Sequence, residues 1–254
     1  MKNILAGRQM VKAFGEGDEK RRVLDEVSVE ISQGEFVSIM GPSGSGKSTL
    51  LYALSGMDTI DSGEVSFNGT GLSGLGEKQL ADLRRTDMGF VFQQPTLLKN
   101  LSILDNIILP SVRDNRKKTR QLSEKARALM ERTGISGLEN RSISQASGGQ
   151  LQRAGICRAL MNDPKVIFGD EPTGALNSTT ANEIMALLSD IHRTGVTILL
   201  VTHDVKVAAS AERVLFLLDG KIAGEYKPNQ QTGFITDVDT REKQLRGWLA
   251  GMRF

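Results

Sequence analysis

A glycine-rich segment carries the clearest chemistry in this sequence. It has the spacing Gly-x-x-x-x-Gly-Lys-Ser from Gly41 to Ser48, directly after the apolar run 36–40 and before a helical pattern. Glycines allow the backbone to curl so that several N–H groups point at phosphate oxygens, and the following helix offers its N-terminus to the same anion. Lys47 is then expected to contact the β- and γ-phosphates, and the Ser48 hydroxyl to bind Mg²⁺. The segment therefore predicts a nucleotide phosphate loop rather than a chance glycine turn.

Two carboxylates follow a second apolar run. Residues 165–168 lead through Gly169 into Asp170 and Glu171. An aspartate at the carboxyl end of a strand beside a phosphate loop is suited to hold Mg²⁺, and the adjacent glutamate is suited to polarise the attacking water. An isolated Asp-Glu pair would instead indicate a solvated acidic turn. Its position after an apolar strand favours the catalytic interpretation.

A histidine, His203, follows the next apolar run at 196–201. Its imidazole could hydrogen-bond the γ-phosphate and report whether that phosphate is still attached. A histidine that merely caps the end of a strand fits these residues equally well, so its position alone does not decide between the two roles.

A framework of parallel strands must position these residues. Short apolar runs that end in glycine-rich or acidic turns alternate with helical patterns, as in an α/β protein with crossover helices. Residues 23–31 alternate between apolar and polar, which predicts an antiparallel strand covered on one face. Residues 213–218 and 221–226 flank Asp219-Gly220 and predict a hairpin. The segment from about 95 to 160 has helical patterns and predicts an inserted helical subdomain.

Composition narrows the class of protein. The 32 basic and 30 acidic side chains leave a formal net charge of +2, which gives no support for binding to nucleic acid. Cys157 is the single cysteine, which excludes an intrachain disulfide framework and fits a reducing compartment. The sequence has neither a signal-peptide pattern nor an apolar stretch of about 18 residues. We therefore expect a soluble cytoplasmic protein in which another chain supplies any membrane span.

A further motif, Ser147-Gly148-Gly149-Gln150, precedes a helical pattern upstream of Asp170. With the phosphate loop and the Asp170-Glu171 pair in this order, the chain resembles the ATP-binding subunit of an ABC (ATP-binding cassette) transporter. The resemblance covers residues 1–227 as one ABC ATPase domain and leaves 228–254 as a C-terminal extension. It implies an α/β fold: a P-loop NTPase core with a mostly parallel sheet, an N-terminal antiparallel β subdomain and the inserted α-helical subdomain.

The resemblance also implies a role in ATP binding and hydrolysis for each motif residue. Phe14 matches the aromatic residue that stacks on adenine, and Gln93 matches the glutamine that links the nucleotide to the helical subdomain. The implied catalytic residues are Lys47, Gln93, Glu171 and His203, and the implied Mg²⁺ ligands are Ser48, Gln93 and Asp170. The implied nucleotide-binding residues of the loop are Gly41, Pro42, Ser43, Gly44, Ser45, Gly46, Lys47, Ser48 and Thr49.

The Ser147–Gln150 motif explains why such proteins form dimers. Its serine and two glycines open a helix whose positive N-terminal end has no phosphate of its own. In the family, this end faces the γ-phosphate held by a second subunit. Ser147, Gly148, Gly149 and Gln150 would then bind ATP in trans in a homodimer. ATP binding and loss would move the helical subdomain against an integral-membrane permease, with the ATPase held at the cytoplasmic face of the membrane.

Segments 88–93 and 170–176 are most similar to one branch of the family. That branch includes macrolide exporters, lipoprotein-releasing complexes and bacitracin-type transporters that give resistance to antimicrobial peptides or sense them. The resemblance implies export, extraction or sensing of a peptide, lipoprotein or drug through a separate permease with few spans and a large extracytoplasmic part. Local similarity slightly favours the peptide-resistance type, and with it a role in antibiotic resistance.

Three positions depart from the family pattern. Ala146 stands where a leucine or isoleucine is usual, which is expected to weaken packing with little effect on chemistry. Gly169 is smaller than the usual residue before the strand-end aspartate, which is expected to loosen that strand end slightly. Asn177 replaces an aspartate, which keeps the hydrogen-bonding shape but removes a charge near the dimer interface. This last change puts the strictness of coupling between two sites in doubt.

The tail has a helical pattern of its own. Asp239 is a candidate N-cap with Glu242 three residues later. Leu245, Trp248, Leu249 and Met252 fall on one face, so the pattern favours a helix that packs on its own domain over one that docks on a partner.

Two other classes of protein compete with the transporter interpretation. A soluble ABC-type ATPase would act on nucleic acid, ribosomes or iron–sulfur assembly. The DNA-acting types carry long coiled-coil or cysteine-rich zinc insertions and the ribosome-acting types carry two cassettes, features that this sequence lacks. A small-molecule kinase would share the phosphate loop but would not explain Ser147–Gln150. The transporter subunit is therefore the favoured interpretation.

Overall fold

A computed structural model of the chain describes residues 2–115, 118–228 and 238–252, so that residues 229–237 and 253–254 of the predicted extension lie outside it. The described residues form two compact units. The first comprises the chain up to Leu80 and from Thr197 onward, and the second comprises Ala81–Val196. The elements in chain order are β1 (Asn3–Phe14), β2 (Arg21–Ser32), β3 (Phe36–Met40), α1 (Lys47–Leu54), β4 (Ser62–Phe67), β5 (Thr70–Gly71), α2 (Glu77–Asp87), β6 (Met88–Phe92), α3 (Ile103–Asn115), α4 (Thr119–Arg132), α5 (Gly148–Leu160), β7 (Val166–Asp170), α6 (Ser178–Arg193), β8 (Thr197–Val201), α7 (Val205–Ala208), β9 (Arg213–Leu218), β10 (Lys221–Tyr226) and α8 (Val238–Gly251).

An antiparallel sheet in the order β2-β1-β4-β5 opens the first unit. In β2, Val27 and Val29 are buried while Ser28 and Glu30 are exposed, so one face of the strand is covered. This confirms the antiparallel strand predicted at 23–31. The sequence patterns did not predict β1, because register shifts near Gln9 interrupt its alternation.

The central strands of the first unit are parallel. β3 lies between β8 and β9 and runs parallel to both, while β10 returns antiparallel to β9 as the predicted hairpin. Every residue of β3 and β8 is buried, as expected for strands covered on both faces. Because β3 and β8 are parallel neighbours, the loops that follow their carboxyl ends lie at one edge of the sheet.

The C-terminal helix α8 packs on the first unit. Leu245 and Leu249 are fully buried in a cluster that includes Phe216 of β9, which confirms the packing that the apolar face favoured. The predicted N-cap was wrong: the helix begins at Val238, so Asp239 lies inside the first turn. No helix among the described residues is long and apolar enough to cross a membrane.

The second unit combines a strand pair with helices. β6 and β7 run parallel, with Met88 opposite Val166 at one end and Phe92 opposite Asp170 at the other. Helices α3, α4 and α5 contribute to an apolar cluster that includes fully buried Ile107. The predicted helical insertion at about 95–160 falls within this unit.

Candidate nucleotide site

The phosphate loop lies in the first unit, between β3 and α1, where the spacing of its glycines placed it. Gly41 has φ +151° and Gly46 has φ +101°, and residues that carry a side chain rarely adopt these φ values. A Cβ on Gly41 would lie 2.0 Å from the carbonyl oxygen of Leu217, and one on Gly46 would lie 2.4 Å from that of Val23. The neighbouring backbones therefore require glycine at both positions, and the loop keeps its curled shape.

Polar groups inside this loop suit a polyphosphate. The Lys47 ammonium bends back over the loop and donates to the carbonyl oxygen of Pro42 at 2.8 Å. The Ser45 hydroxyl is buried and has no hydrogen-bond partner among the described residues. α1 begins at Lys47, so the N–H groups of its first turn face the loop. The loop thus offers a cation, a hydroxyl and several N–H groups to an anion.

The predicted γ-phosphate sensor, His203, lies at the same sheet edge as the phosphate loop. It follows β8, and the N–H of Thr202 donates to the carbonyl oxygen of Ile39 in β3 at 3.1 Å. His203 is exposed. Asp204 caps the short helix α7 by accepting from the N–H of Lys206 at 2.7 Å, which fixes the backbone next to the imidazole.

The predicted adenine-stacking residue, Phe14, ends β1 and is half exposed. The ammonium of Lys12 lies 5.2 Å from the centre of its ring. One face of the ring therefore contacts a cation, and the exposed part is open to a planar ligand.

In the second unit, parallel pairing brings Gln93 and Glu171 together. Each follows one member of the Phe92–Asp170 pair that ends β6 and β7. A Cβ placed on Gly174 would lie 2.9 Å from Gln93 Nε2 and 3.1 Å from Glu171 Oε2, so the amide and the carboxylate converge on this glycine. Glu171 also has φ +47°, a strained backbone conformation of the kind that clusters at functional sites.

Ser147 caps the start of α5. Its hydroxyl accepts from the N–H of Gln150 at 3.3 Å, and the Gln150 side chain accepts from the N–H of Ser147 at 2.9 Å. Both Ser147 and Gly148 are exposed. A Cβ on Gly149 would lie 2.6 Å from Cγ2 of Thr180, so the small residue allows α5 to approach α6 closely. The motif therefore forms an exposed, glycine-opened helix N-terminus.

The three departures from the family pattern have local explanations. Ala146 packs against the apolar cluster of the helical segment despite its small size. β7 stays paired with β6 through Gly169, which lies opposite Val91. Asn177 is the N-cap of α6, and its Oδ1 accepts from the N–H of Thr180 at 2.9 Å.

Sequence reasoning gave no role to Lys12, Gln152 or Gly174, all of which contact or flank predicted site residues. A lysine two residues before an aromatic one and a glycine after an acidic pair are common patterns, so only the folded contacts distinguish them. The predicted residues themselves fall into two groups. Phe14, Gly41–Thr49 and His203 belong to the first unit, whereas Gln93, Ser147–Gln150, Asp170 and Glu171 belong to the second.

The sequence also matches a known family over most of this region. The sequence model of the protein family described as ABC transporter matches residues 24–174 of this chain. The chain belongs to the ABC transporter family, in which it is an ATP-binding cassette and an ATPase. This confirms the predicted family, fold class and enzymatic activity.

Relatives with similar sequences place the chain more closely. The macrolide export ATP-binding/permease protein MacB of Escherichia coli is 40% identical over 246 residues, which are 97% of this chain and 37% of that protein. An uncharacterized ABC transporter ATP-binding protein of Methanocaldococcus jannaschii is 41% identical over 219 residues, which are 86% of this chain and 97% of that protein. The chain thus spans about a third of the length of the MacB relatives it matches.

Solved structures agree with this placement. The ATP-binding cassette MJ0796, a dimer in a post-hydrolysis state bound to ADP and Pi, is 37% identical with a TM-score of 0.80 and covers 88% of this chain and 98% of its own. The protein cbiO1 of Clostridium perfringens, part of the ABC transporter complex cbiONQ, is 25% identical with a TM-score of 0.79 over 100% of both chains.

Proposed function

We propose that this cassette binds Mg²⁺-ATP between two copies of itself and uses hydrolysis to move a membrane permease. The observation that carries the proposal is the exposed, glycine-opened start of α5 at Ser147 and Gly148. Such a helix end attracts anions, and the γ-phosphate on the loop of a second copy is the anion that completes it. The dimeric state of the MJ0796 cassette supports this arrangement.

In the proposed site, the phosphate loop holds the nucleotide. Backbone N–H groups of Gly41–Thr49 donate to phosphate oxygens, and Lys47 exchanges its contact with Pro42 for the β- and γ-phosphates. The exposed ring of Phe14 stacks on adenine. Ser147, Gly148, Gly149 and Gln150 of the second copy close the site.

The remaining residues serve hydrolysis. Ser48, Gln93 and Asp170 offer hydroxyl, amide and carboxylate oxygens, the donors that Mg²⁺ prefers, and when bound the ion neutralises phosphate charge. Glu171 accepts a hydrogen bond from the attacking water and orients it. His203 donates to the γ-phosphate, and Gln93 is displaced with the helical segment when that phosphate leaves.

The cassette, in this proposal, works at the cytoplasmic face of a membrane and is held there by a permease. The names of the MacB relatives join an ATP-binding part to a permease that exports macrolides. We infer that the transported or sensed molecule is of the same broad kind, a drug, peptide or lipoprotein. The selection of that molecule resides in the permease.

A pair of variants tests the dimer and the chemistry separately. Glu171→Gln should keep ATP affinity, lose turnover and accumulate an ATP-bound dimer on a sizing column, because the amide cannot act as a base. Ser147→Arg, combined with Glu171→Gln, should prevent that dimer while leaving ATP affinity of the single chain unchanged. Persistence of the dimer in the double variant would exclude the role of α5, and undiminished hydrolysis in Glu171→Gln would exclude Glu171 as the base.

Purification of the chain from membranes tests whether it binds a permease. The partner that co-purifies with the chain should be an integral-membrane protein with a large extracytoplasmic part. Co-purification with ribosomes or DNA instead would favour a non-transport ABC ATPase.

A further inference from the structure

Gln152 is a buried glutamine that lies in the second turn of α5 and contacts both the end of β6 and the loop after β7. Its Nε2 donates to the carbonyl oxygen of Phe92 at 2.9 Å and to that of Pro172 at 2.7 Å. An amide nitrogen carries two hydrogens, so both are engaged. The side chain is only 1% exposed.

The two carbonyls adjoin the proposed catalytic residues. Phe92 directly precedes Gln93, and Pro172 directly follows Glu171. One side-chain nitrogen therefore fixes the peptide next to each of them. Glu171 is the residue with φ +47°, a conformation that persists only where surrounding contacts enforce it.

The other end of the Gln152 amide argues against simple packing. Its Oε1 is buried and has no hydrogen-bond partner among the described residues. Burying an amide oxygen without a partner is unfavourable, so an apolar side chain of this size would be the better choice for a position that only fills space. The donor to Phe92 and Pro172 is the feature that a glutamine adds here.

Gln152 also shares a rigid helix with Ser147. The exposed N-terminus of α5 is the proposed binding site for the phosphate of the second copy, and Gln152 lies in the next turn of that helix. A second contact of the same kind comes from Arg158, which donates to the carbonyl oxygen of Thr96 at 2.6 Å, shortly after Gln93. A shift of α5 is thus transmitted to the loops that carry Gln93 and Glu171.

We propose that Gln152 is a positioning residue that ties α5 to both catalytic loops, so that Gln93 and Glu171 are correctly placed only when α5 is seated on the second copy. This inference rests on the proposed function. It makes hydrolysis at one site depend on the helix that closes the other.

The test compares the effect of a substitution at Gln152 on ATP turnover with its effect on ATP binding. Gln152→Met keeps a similar length but removes the donor, and kcat for ATP should fall about tenfold or more, because small misplacements of catalytic groups have large effects. The Kd for ATP should stay within about twofold, since the hydrogen bonds that Gln152 donates go to Phe92 and Pro172 and it is not a residue of the phosphate loop. Gln152→Asn keeps the amide but on a side chain that is too short to reach both carbonyl oxygens. Its kcat should therefore fall as well, so this variant still tests the inference if Gln152→Met folds poorly.

Cys157→Ala is the matched control. Cys157 is fully buried in the same helix, and its Sγ lies 3.1 Å from Oγ1 of Thr133, a residue outside both catalytic loops. The Cys157→Ala variant should lose at least as much thermal stability as Gln152→Met, yet its kcat for ATP should stay unchanged. An equal loss of kcat in Cys157→Ala would overturn the inference, because packing of α5 alone would then account for it.

A second measurement separates this inference from the proposed function. In the Glu171→Gln background, Gln152→Met should still allow the ATP-bound dimer, since both binding halves remain. If the ATP-bound dimer forms in Glu171→Gln but is lost when Gln152→Met is added, the inference that Gln152 positions the catalytic loops is overturned. Absence of the dimer in Glu171→Gln itself would overturn the proposed function and the inference with it, whereas unchanged kcat in Gln152→Met would overturn the inference alone.

Discussion

The buried ammonium of Lys12 lies 5.2 Å from the ring centre of half-exposed Phe14. Asp58 Oδ1 accepts from this ammonium at 2.9 Å, and the carbonyl oxygen of Thr59 accepts at 2.6 Å. The cation is therefore fixed by the loop after α1, and it in turn holds the aromatic ring on which we propose that adenine stacks. This contact restrains the ring before any nucleotide arrives, which lowers the entropic cost of stacking.

Lys12→Met should weaken ATP binding through Phe14. A cation–π contact contributes about 0.5–1 kcal/mol, which predicts an increase of roughly two- to fivefold in the Kd for ATP, measured with a fluorescent analogue, at unchanged kcat. In a Phe14→Leu background, the same change should have no further effect. Lys125→Met, which removes an ammonium paired with Asp163 at 2.6 Å in the other unit, should leave the Kd unchanged. Unaltered affinity in Phe14→Leu would remove Phe14 from the adenine site.

Gly174→Ala should impair hydrolysis with little effect on binding. The new Cβ would lie 2.9 Å from Gln93 Nε2 and 3.1 Å from Glu171 Oε2, so the ends of these two side chains must shift away from it. Displacement of a catalytic group by about 1 Å can lower turnover by about two orders of magnitude, and we expect at least a tenfold loss of kcat in a steady-state ATPase assay.

A matched glycine provides the control for this change. Gly71→Ala introduces the same methyl group where no atom lies within 4 Å of the new Cβ. It should leave both kcat and the Kd for ATP unchanged. Full activity in Gly174→Ala would show that the convergence of Gln93 and Glu171 on this glycine has no catalytic importance.

Much of the candidate site could be predicted because its parts are local in sequence. The phosphate loop follows a buried strand and opens a helix within one continuous segment, so its glycine spacing specifies its backbone. The positions of Asp170 and His203 after apolar runs likewise place them at strand ends. The hairpin at 213–226 was predicted from its Asp219-Gly220 turn for the same reason.

The parts that sequence reasoning missed depend on contacts between distant segments. Gln152 donates to two carbonyl oxygens that lie 60 and 20 residues away along the chain. No periodic pattern in the sequence predicts such a contact. β1 escaped prediction because its bulges break the alternation on which strand assignment rests. The start of α8 was misplaced by two residues, since an aspartate is equally favourable at the cap and in the first turn.

Asn177 should be replaceable by aspartate but not by alanine. Its Oδ1 caps α6 by accepting from the N–H of Thr180 at 2.9 Å. Loss of such a cap in Asn177→Ala should lower the free energy of unfolding by about 1 kcal/mol in urea titration. Asn177→Asp keeps the acceptor and adds a negative charge at the positive end of the helix, which should raise it by about 0.3–1 kcal/mol.

The neighbouring serine serves as the control for Asn177. Ser178→Ala alters the adjacent exposed position in the first turn of α6 and should change stability by less than about 0.5 kcal/mol. A loss in Ser178→Ala as large as that in Asn177→Ala would contradict the capping role. Equal stability of Asn177→Ala and the unaltered chain would do the same.

The buried thiol of Cys157 should make the fold less stable in alkali. Burial raises the pKa of Cys157 from its ordinary value of 9.0 to about 11, although the contact with Thr133 partly opposes the shift. Below pH 9 the thiol is neutral in both states and its contribution is constant. Above pH 9 the unfolded chain releases this proton while the folded chain keeps it, so stability falls with rising pH until about pH 11.

Comparison with Cys157→Ala isolates this effect from the titration of lysine and tyrosine side chains. The rise in the pKa of Cys157 from 9.0 to about 11 corresponds to about 2–3 kcal/mol, so the stability difference between the unaltered chain and Cys157→Ala should shrink by about that amount between pH 9 and pH 11 in urea titrations. The same burial should keep the thiol unreactive toward a disulfide reagent at pH 8 until the chain is unfolded. Rapid labelling of the native chain, or a stability difference that stays constant over this pH range, would contradict the burial of Cys157.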